Sequence, residues 1–308
     1  MLCSGITDLQ ISSTTSSRTG LHAIFKRYSV RLSIVIVNWN TTNLLKQCLK
    51  SIAAFPPEGD YEIVVVDNAS SDFDEARFRA EFPDVHLIAN AENAGYAKGN
   101  NQGIAIANGK FVLLLNPDTQ VTEGALEALL RFMEEHPDAA AAGPRLVRPN
   151  GAVEQSVRSF PYPGPIAWEY LGLSRIFSKS WIFARYRMRP FSYTQEAEVD
   201  QPMGSCLILS KQALDNVGLM DESFPIFFNE VDWLYRAKQK GYKIYFTPTA
   251  TIIHHGAAST SQVDRRIMLR ESHESLIRFY KKHFRDLLPK PVYWLAILAI
   301  RVGVFFRR

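Results

Sequence analysis

Short apolar runs alternate, along the first half of the chain, with segments whose apolar residues recur at helical spacing. These runs, of which the first is rich in β-branched residues, predict buried strands at residues 32–37, 63–66, 85–88 and 111–115. The segments between and after them predict helices at residues 42–52, 74–82, 96–108 and 123–136. This alternation predicts an α/β fold, with a Rossmann-like, mostly parallel sheet that carries helices on both faces.

The second half of the chain is less regular. Residues 145–198 are rich in proline, aromatic residues and arginine, which predicts an insertion packed over the sheet. A strand is expected at 206–209, a helix ending at Gln239, and strand-rich structure at 242–253. A serine- and threonine-rich tract predicts a disordered leader at residues 1–30. One domain is expected at 31–260, in halves 31–145 and 146–260, followed by C-terminal helices at 261–308.

Polar side chains follow each of the four predicted parallel strands. They are Asn38 and Asn40, Asp67 and Asn68, Asn90 and Asn93, and Asn116 and Asp118. Open α/β sheets bind ligands at the carboxyl ends of their strands. Asparagine and aspartate are also common in turns, which explains any one strand end well but all four together less well. The pattern therefore favours a binding crevice at this edge of the sheet.

Missing motifs narrow the class of ligand. The first strand is followed by neither a dinucleotide-binding glycine motif nor a Walker loop. Residues 93–101 instead combine two glycines, Lys98 and several amides at the expected start of a helix. Backbone N–H groups and a cation at a helix N-terminus suit an anion such as a diphosphate.

Composition excludes some partners. A net charge of +4 with dispersed basic residues does not favour nucleic acid. The three cysteines are far apart and lack metal-ligand spacing, so Cys48 and Cys206, which lie in apolar runs, are expected to be buried thiols in a reducing compartment. We find no apolar segment followed by a small-residue cleavage site, so a secretory signal is not expected.

Six motifs in fixed order resemble glycosyltransferase family 2, in particular its rhamnosyltransferase-like branch. They are Val-Ile-Val-Asn-Trp-Asn at 35–40, Val-Val-Asp-Asn-Ala-Ser-Ser-Asp at 65–72, Asn-Ala-Gly-Tyr-Ala-Lys-Gly-Asn-Asn at 93–101, Leu-Asn-Pro-Asp at 115–118, Phe-Asn-Glu-Val-Asp at 228–232 and Ile-His-His-Gly at 253–256. The resemblance implies a glycosyltransferase A fold and sugar transfer from a nucleotide-diphosphate donor to a glycan or glycolipid hydroxyl. It also implies a place in cell-surface polysaccharide synthesis, such as that of cell wall polysaccharide or O-antigen.

The resemblance also implies roles for individual residues. Asp67 would contact the base or ribose, and the remaining nucleotide-sugar-binding positions would be Asn38, Asn40, Asn68, Asn93, Gly95, Lys98, Gly99, Asn101 and Asn116. Asp118 matches the last carboxylate of the metal motif, His254 a histidine near the diphosphate, and Glu230 the general base. Two positions depart from the family: Asn116 replaces the first aspartate of the metal motif, and Asn229-Glu230 replaces Glu-Asp in the base motif.

A divalent cofactor, Mg²⁺ or Mn²⁺, suits a leaving diphosphate, since such ions are held by one or two carboxylates together with phosphate and water. Asp118 and His254 are the expected ligands. A helix cap for Asp118 and a core or loop position for His254 are the competing interpretations.

The attacking hydroxyl needs a base on the other side of the sugar. Glu230 and Asp232 do not share a helix face, and Asp232 has Arg236 one turn later as an ion-pair partner. We therefore expect Glu230 to be the base and Asp232 to bind the acceptor or support the structure; a role for Glu230 in complementing the helix dipole remains an alternative. A single displacement predicts inversion at the anomeric carbon.

The C-terminal tail is apolar but too short to span a membrane. Residues 292–300 and 302–306 are almost entirely apolar and are flanked by lysine and arginine. This favours an interfacial anchor at the inner face of the cell membrane, in the cytoplasm, over a terminal core helix. The basic and aromatic residues at 179–189 fit either contact with lipid phosphates or a solvated loop.

Two other functions compete with sugar transfer. One is a nucleotidyltransferase, which would carry a basic, glycine-rich loop after its first strand, where this chain has Trp39-Asn40-Thr41. The other is a catalytically silent, nucleotide-sugar-binding subunit of a membrane polysaccharide assembly, against which Asp118 and Glu230 argue. The resemblance suggests rhamnose on a thymidine diphosphate carrier as the donor.

Overall fold

The computed structural model of the protein describes residues 30–256 and 262–306. The predicted leader lies, apart from Val30, outside the described residues. In chain order the elements are β1 (Val30–Asn38), α1 (Thr42–Ala54), β2 (Tyr61–Asp67), α2 (Glu75–Glu81), β3 (His86–Ala89), α3 (Tyr96–Ile106), β4 (Gly109–Leu115), β5 (Thr119–Val121), α4 (Ala125–Glu135), β6 (Ala139–Val147), β7 (Val157–Arg158), α5 (Pro163–Tyr170), α6 (Leu173–Ile176), β8 (Ala197–Glu198), β9 (Gln201–Pro202), β10 (Cys206–Ser210), α7 (Lys211–Val217), α8 (Asn229–Gln239), β11 (Lys243–His254), α9 (Arg265–His283) and α10 (Lys290–Phe306).

The main sheet has the strand order β3-β2-β1-β4-β10-β6-β11-β5, with β8 beside β11. Strands β1 to β4 pair in parallel, and so do β6 and β11. Strand β10 runs antiparallel between β4 and β6, and β5 runs antiparallel to β11. The four predicted parallel strands therefore form one half of the sheet, and their carboxyl ends meet at one edge.

Alternate residues of the strands face two separate hydrophobic cores, as the predicted helices on both faces require. Val35 and Val37 pack with α3, α5 and α7 to α10, whereas Ile34 and Ile36 pack with α1, α2 and α4. The predicted α/β fold class is confirmed. Cys48 and Cys206 are buried and free, as expected.

Several predicted boundaries are wrong for identifiable reasons. The third helix ends at Ile106 rather than at residue 108. The fourth helix begins at Ala125, since Gly124 has a left-handed φ of 69° and breaks the chain before it. Strand β6 was not predicted, because it begins with four alanines, which have low β-propensity. These alanines are buried in the centre of the sheet.

A tight turn follows β6 and reverses the chain. Gly151 has a φ of +80°, and its N–H donates to the carbonyl of Arg148 at 2.8 Å. The returning chain runs beside β6, where the N–H of Glu154 donates to the carbonyl of Leu146 at 2.9 Å. The segment that follows adds Phe160 to the core, so the insertion packs over the sheet as predicted.

The C-terminal helix α10 has two different faces. Tyr293, Ile297 and Ile300 are buried in the core that includes α5 and α9. Trp294 and Leu298 on the other face are 63% and 57% exposed. The tail thus combines the core helix and the exposed apolar surface that the sequence left as alternatives. In the described part of the chain, no helix has both the length and the apolar character needed to cross a bilayer.

Candidate active site

The ends of β1 and β2 form a buried polar pair. Asn38 and Asp67 are 0% and 3% exposed, and the Asn38 amide donates to Asp67 Oδ1 at 2.8 Å. The Ser70 hydroxyl donates to the same oxygen at 2.7 Å, while its N–H donates to Oδ2 at 3.0 Å. Three hydrogen bonds thus hold the Asp67 carboxylate in one orientation at the carboxyl edge of the sheet.

Neighbouring amides extend this pair across three strands. Asn68 donates to the Gly95 carbonyl at 3.1 Å and accepts from Asn90 at 2.8 Å. Asn40, with a left-handed φ of 52°, accepts from the Ser71 N–H at 2.8 Å. The structure therefore brings the predicted polar ends of the first three strands together in one network.

The start of α1 is held by a side chain from another loop. Neither Thr41 nor Thr42 caps the helix with its side chain. Asp72, from the loop after β2, accepts the N–H of Thr42 at 3.1 Å and its hydroxyl at 3.0 Å. A carboxylate here complements the helix dipole and joins two loops of the edge.

The first backbone N–H groups of α3, which the sequence predicts as donors to an anion, are paired within the protein. The N–H groups of Tyr96 and Ala97 donate to the Pro225 carbonyl at 2.7 and 3.3 Å. The Gly95 N–H is held by the Asn93 side chain at 2.9 Å. Donors already satisfied in this way are not available to a diphosphate.

Two further residues of this motif serve packing. A Cβ on Gly99 would lie 2.9 Å from Val37, so the glycine allows α3 to approach β1 closely. Asn101 donates to the Met220 carbonyl at 2.9 Å and to Glu222 at 3.0 Å, and accepts from the Met220 N–H at 3.0 Å. Its amide ties α3 to the loop before α8. Lys98 is exposed in the first turn of α3.

The turn after β4 is held from both sides. The Asn116 N–H donates to the Ser205 carbonyl at 2.8 Å, and its side-chain oxygen accepts from the Tyr96 hydroxyl at 2.9 Å. Asp118 is 5% exposed and precedes β5, and α4 begins only at Ala125. The interpretation of Asp118 as a helix cap is therefore wrong.

His254 lies between two carboxylates at the end of β11. Its Nδ1 is 2.8 Å from Glu154 Oε2, and its Nε2 is 3.6 Å from Asp118 Oδ1. Burial acts to lower the pKa of His254, but the hydrogen bonds and charges of Asp118 and Glu154 outweigh it and raise the pKa to about 9. The structure thus joins Asp118 to His254, as the sequence predicts, and adds Glu154.

These two predicted ligands fit a small divalent ion. The 3.6 Å between Asp118 Oδ1 and His254 Nε2 is less than twice a metal–ligand distance of about 2.1 Å, so one ion can contact both atoms. Within residues 30–256 and 262–306, no group of three histidine, cysteine, aspartate or glutamate side chains forms a complete metal site. Two protein ligands leave coordination positions for phosphate oxygens and water, as is usual for Mg²⁺.

Glu230, at the start of α8, lies close to the turn after β4 that carries Asn116 and Asp118. A Cβ on Gly204 would lie 3.2 Å from its Cγ, and the Gly204 carbonyl accepts from Tyr96 at 3.2 Å. Tyr96 also bonds to Asn116, so a single tyrosine ring joins the surroundings of Glu230 to the turn that carries Asp118. Burial raises the pKa of Glu230, against the opposing charge of Arg158.

Asp232 faces away from Glu230, towards α9. Its Oδ1 is 2.7 Å from His283 Nε2 and 2.7 Å from Lys282 Nζ, and its Oδ2 accepts from Arg236 at 2.8 Å. Burial acts to raise the pKa of Asp232, but His283, Lys282 and Arg236 outweigh it and hold the pKa below its ordinary value. The side chain is 0% exposed; Arg236 pairs with it within α8, whereas Lys282 and His283 join it to α9.

Sequence reasoning missed Glu154, Tyr96 and Asp72 as parts of the site. The Pro149-Asn150-Gly151 turn was the one available signal for Glu154, because it predicts a chain reversal after a strand. Asp72 ends the 65–72 motif, but the resemblance implies no role for it. Nothing in the local pattern indicated that the Tyr96 hydroxyl reaches Asn116.

Comparison with known proteins identifies the chain as a glycosyltransferase. The sequence model of Glycosyl transferase family 2 matches residues 33–207. The chain belongs to this family, and the resemblance seen in the motifs is confirmed.

Two relatives cover nearly the whole chain. The N-acetylglucosaminyl-diphospho-decaprenol L-rhamnosyltransferase of Mycobacterium tuberculosis is 26% identical over 90% of this chain and 93% of its own length. The dTDP-rhamnosyl transferase RfbF of Shigella flexneri is 24% identical over 88% of this chain and 84% of its own length. The chain is thus similar to rhamnosyltransferases throughout its length.

A solved structure matches the fold. The mannosyltransferase PcManGT of Pyrobaculum calidifontis, in complex with GDP-Man and Mn²⁺, superposes with a TM-score of 0.57 at 15% identity, over 91% of this chain and 78% of that one. The predicted glycosyltransferase A fold is confirmed.

Proposed function

We propose that the protein transfers a sugar, with rhamnose as the first candidate, from a nucleotide-diphosphate donor to a hydroxyl of a glycan or lipid-linked acceptor, with inversion. The position of Glu230 carries this proposal. Its carboxylate lies beside Gly204, one tyrosine ring away from the turn of Asp118. A base and a diphosphate-side carboxylate next to one crevice are what a single displacement requires.

Each group has one task in this displacement. Glu230 takes the proton of the acceptor hydroxyl. The oxygen of that hydroxyl bonds to the anomeric carbon as the bond from the same carbon to the diphosphate breaks. Asp118 and His254 hold a divalent ion, Mg²⁺ or Mn²⁺, which when bound stabilises charge on the departing oxygens. Attack from the face opposite to the diphosphate inverts the anomeric carbon.

The donor would occupy the carboxyl edge of the sheet. Asp67, fixed by Asn38 and Ser70, is proposed to contact the base or ribose, with Asn40 and Asn68 beside it. Asn116 follows β4, which pairs with β1, and lies two residues before Asp118. Lys98 is the cation that the 93–101 motif leaves exposed for the diphosphate. The names of the relatives support a deoxythymidine diphosphate carrier and a lipid-diphosphate-linked acceptor.

A donor panel tests the proposal. Nucleotide sugars that differ in base and sugar are screened for metal-dependent protection against thermal unfolding, since a ligand of the native state raises Tm. The donor that protects is then incubated with a lipid-diphosphate sugar, and the anomeric configuration of the product is read by NMR. Retention of configuration would contradict the single displacement.

The released product distinguishes the competing functions. Sugar transfer releases a nucleoside diphosphate, whereas nucleotidyl transfer releases pyrophosphate. A silent binding subunit would bind donor but neither transfer the sugar nor hydrolyse the donor. Release of pyrophosphate, or binding without turnover on any acceptor, would contradict the proposed activity.

We propose further that the protein works at the cytoplasmic face of a membrane. Most of its exposed large apolar side chains lie in two segments, residues 171–182 and 287–302. These side chains are Leu171, Ile176, Phe177, Trp181, Ile182, Leu287, Val292, Trp294, Leu295, Leu298 and Val302. Both α6 and α10 pack against α5, so these segments are neighbours. Exposed Lys179, Lys290 and Arg301 lie among them, a combination that suits anionic lipid.

Substitution on the outer face of α10 tests this location better than truncation. Deleting residues 292–308 would also remove Tyr293, Ile297 and Ile300 from the core. Changing Trp294, Leu295 and Leu298 together to glutamate is expected to abolish co-sedimentation with phosphatidylglycerol vesicles and to leave Tm nearly unchanged.

A matched control changes Phe55, Ile106 and Leu219 to glutamate. These side chains are 39%, 44% and 48% exposed and lie outside the two apolar segments. The control adds the same charge, so it should still sediment with the vesicles. Equal loss in both variants, or a wild-type protein that stays in the supernatant, would contradict the membrane location.

A further inference from the structure

Glu154 contacts the face of His254 that points away from the candidate metal position. Its Oε2 is 2.8 Å from His254 Nδ1, whereas His254 Nε2 points to Asp118. The side chains of Glu154 and His254 are 17% and 7% exposed. This contact joins residues 100 positions apart and has no role in the transfer steps above.

The backbone sets this contact. Strand β6 pairs in parallel with β11, so Leu146 lies beside Ile252, two residues before His254. The turn at Gly151 brings the chain back beside β6, where the Glu154 N–H bonds to Leu146. Glu154 is therefore held at the end of the same strand pair that carries His254.

The contact between Glu154 and His254 determines which ring nitrogen of His254 is unprotonated. An ionised carboxylate only accepts hydrogen bonds, so Glu154 selects the form of His254 that carries a proton on Nδ1. A neutral imidazole then has its lone pair on Nε2, the atom nearest Asp118. Without Glu154, rotation about the soft terminal torsion and exchange of the proton would populate other arrangements of the ring.

We propose that Glu154 is a positioning residue of the metal site, which fixes the ring and the tautomer of His254 so that Nε2 binds the ion together with Asp118. The inference rests on the proposed function, because it takes His254 and Asp118 as ligands. Carboxylates behind metal-bound histidines typically change metal affinity by about 10–100-fold.

Mn²⁺ binding to the full chain, without nucleotide, tests the role independently of activity. The free Mn²⁺ signal in electron paramagnetic resonance gives Kd for the wild type, Glu154→Ala, Glu154→Gln and His254→Ala. Glu154→Ala is expected to weaken binding about 10–100-fold. Glu154→Gln should recover most of this loss, because its amide oxygen still accepts the Nδ1 proton. Tm of each variant shows whether it is folded.

A double variant separates positioning from direct ligation. If Glu154 acts only through the ring, Glu154→Ala should cause no further loss in the His254→Ala background. Further weakening there would mean that Glu154 contacts the ion itself and would overturn the positioning role. Glu198→Ala is the control, since this carboxylate also lies beside β11 but pairs with Lys238, and its Kd should equal that of the wild type.

The remaining outcomes distinguish the two levels of proposal. If His254→Ala weakens Mn²⁺ binding but Glu154→Ala does not, the positioning role is overturned and the metal site stands. If His254→Ala has no effect, or the wild type does not bind Mn²⁺, the ligand role of His254 fails and the role of Glu154 fails with it.

Discussion

Replacing Glu230 with glutamine is expected to lower kcat by about 10²–10⁴-fold while donor affinity stays near that of the wild type. The substitution keeps the size of the side chain beside Gly204 and removes only its basicity. Burial raises the pKa of Glu230, so the ionised form is the less favourable one in the folded protein. The glutamine variant should therefore be at least as stable as the wild type at neutral pH.

The pH profile gives a second measure of the same role. The base must be ionised, so kcat/KM should fall with decreasing pH as Glu230 takes up a proton. Since its pKa is raised, the fall should begin above the range of an ordinary glutamate. An unchanged kcat in Glu230→Gln would show that the base lies elsewhere.

Asp232→Asn is the matched control, two residues along the same helix. The change removes the negative charge that holds Arg236, Lys282 and His283 together. Breaking such a pair costs roughly 2–3 kcal/mol where the cations reach solvent, so Tm should fall by several degrees while kcat is largely retained.

The sign of the pH dependence follows from the lowered pKa of Asp232. Its stabilisation is complete above the pKa of an unfolded aspartate and is lost as pH falls through the lower folded value. The variant should lose this part of the acid dependence. If Asp232→Asn loses turnover and Glu230→Gln loses stability instead, the two roles are reversed.

Replacing Asp118 with asparagine is expected to lower activity by about 100-fold or more and to remove the dependence of donor affinity on Mg²⁺ or Mn²⁺. Loss of a carboxylate ligand weakens the ion that stabilises the leaving diphosphate, an effect of several kcal/mol in the transition state. Donor Kd with and without the metal, together with kcat, measures both effects.

Asp138→Asn provides the comparison for Asp118. Asp138 lies on the surface, where it pairs with Lys243 at 2.9 Å, so its loss should change neither quantity. Asn116→Asp would restore the first carboxylate of the family motif and is expected to tighten metal binding. Wild-type activity that survives thorough chelation would contradict the metal role of Asp118.

The hydrophobic pattern alone determined the four parallel strands β1 to β4. Apolar runs that end before Asn38, Asp67 and Asn116 are typical of strands that are buried on both faces. Parallel pairing then brings their polar ends to one edge. The i,i+4 spacing of Asp232 and Arg236 likewise indicated the ion pair that the structure contains, since helix geometry is local.

Contacts between distant segments required the tertiary structure. The Pro225 carbonyl accepts hydrogen bonds from the N–H groups of Tyr96 and Ala97, so these two donors at the α3 N-terminus serve packing. Glu154 meets His254 through a turn and a parallel strand pair, and Lys282 and His283 meet Asp232 from another helix. The local sequence determines which polar groups need a hydrogen-bond or ion-pair partner. Only tertiary packing determines which distant residue becomes that partner.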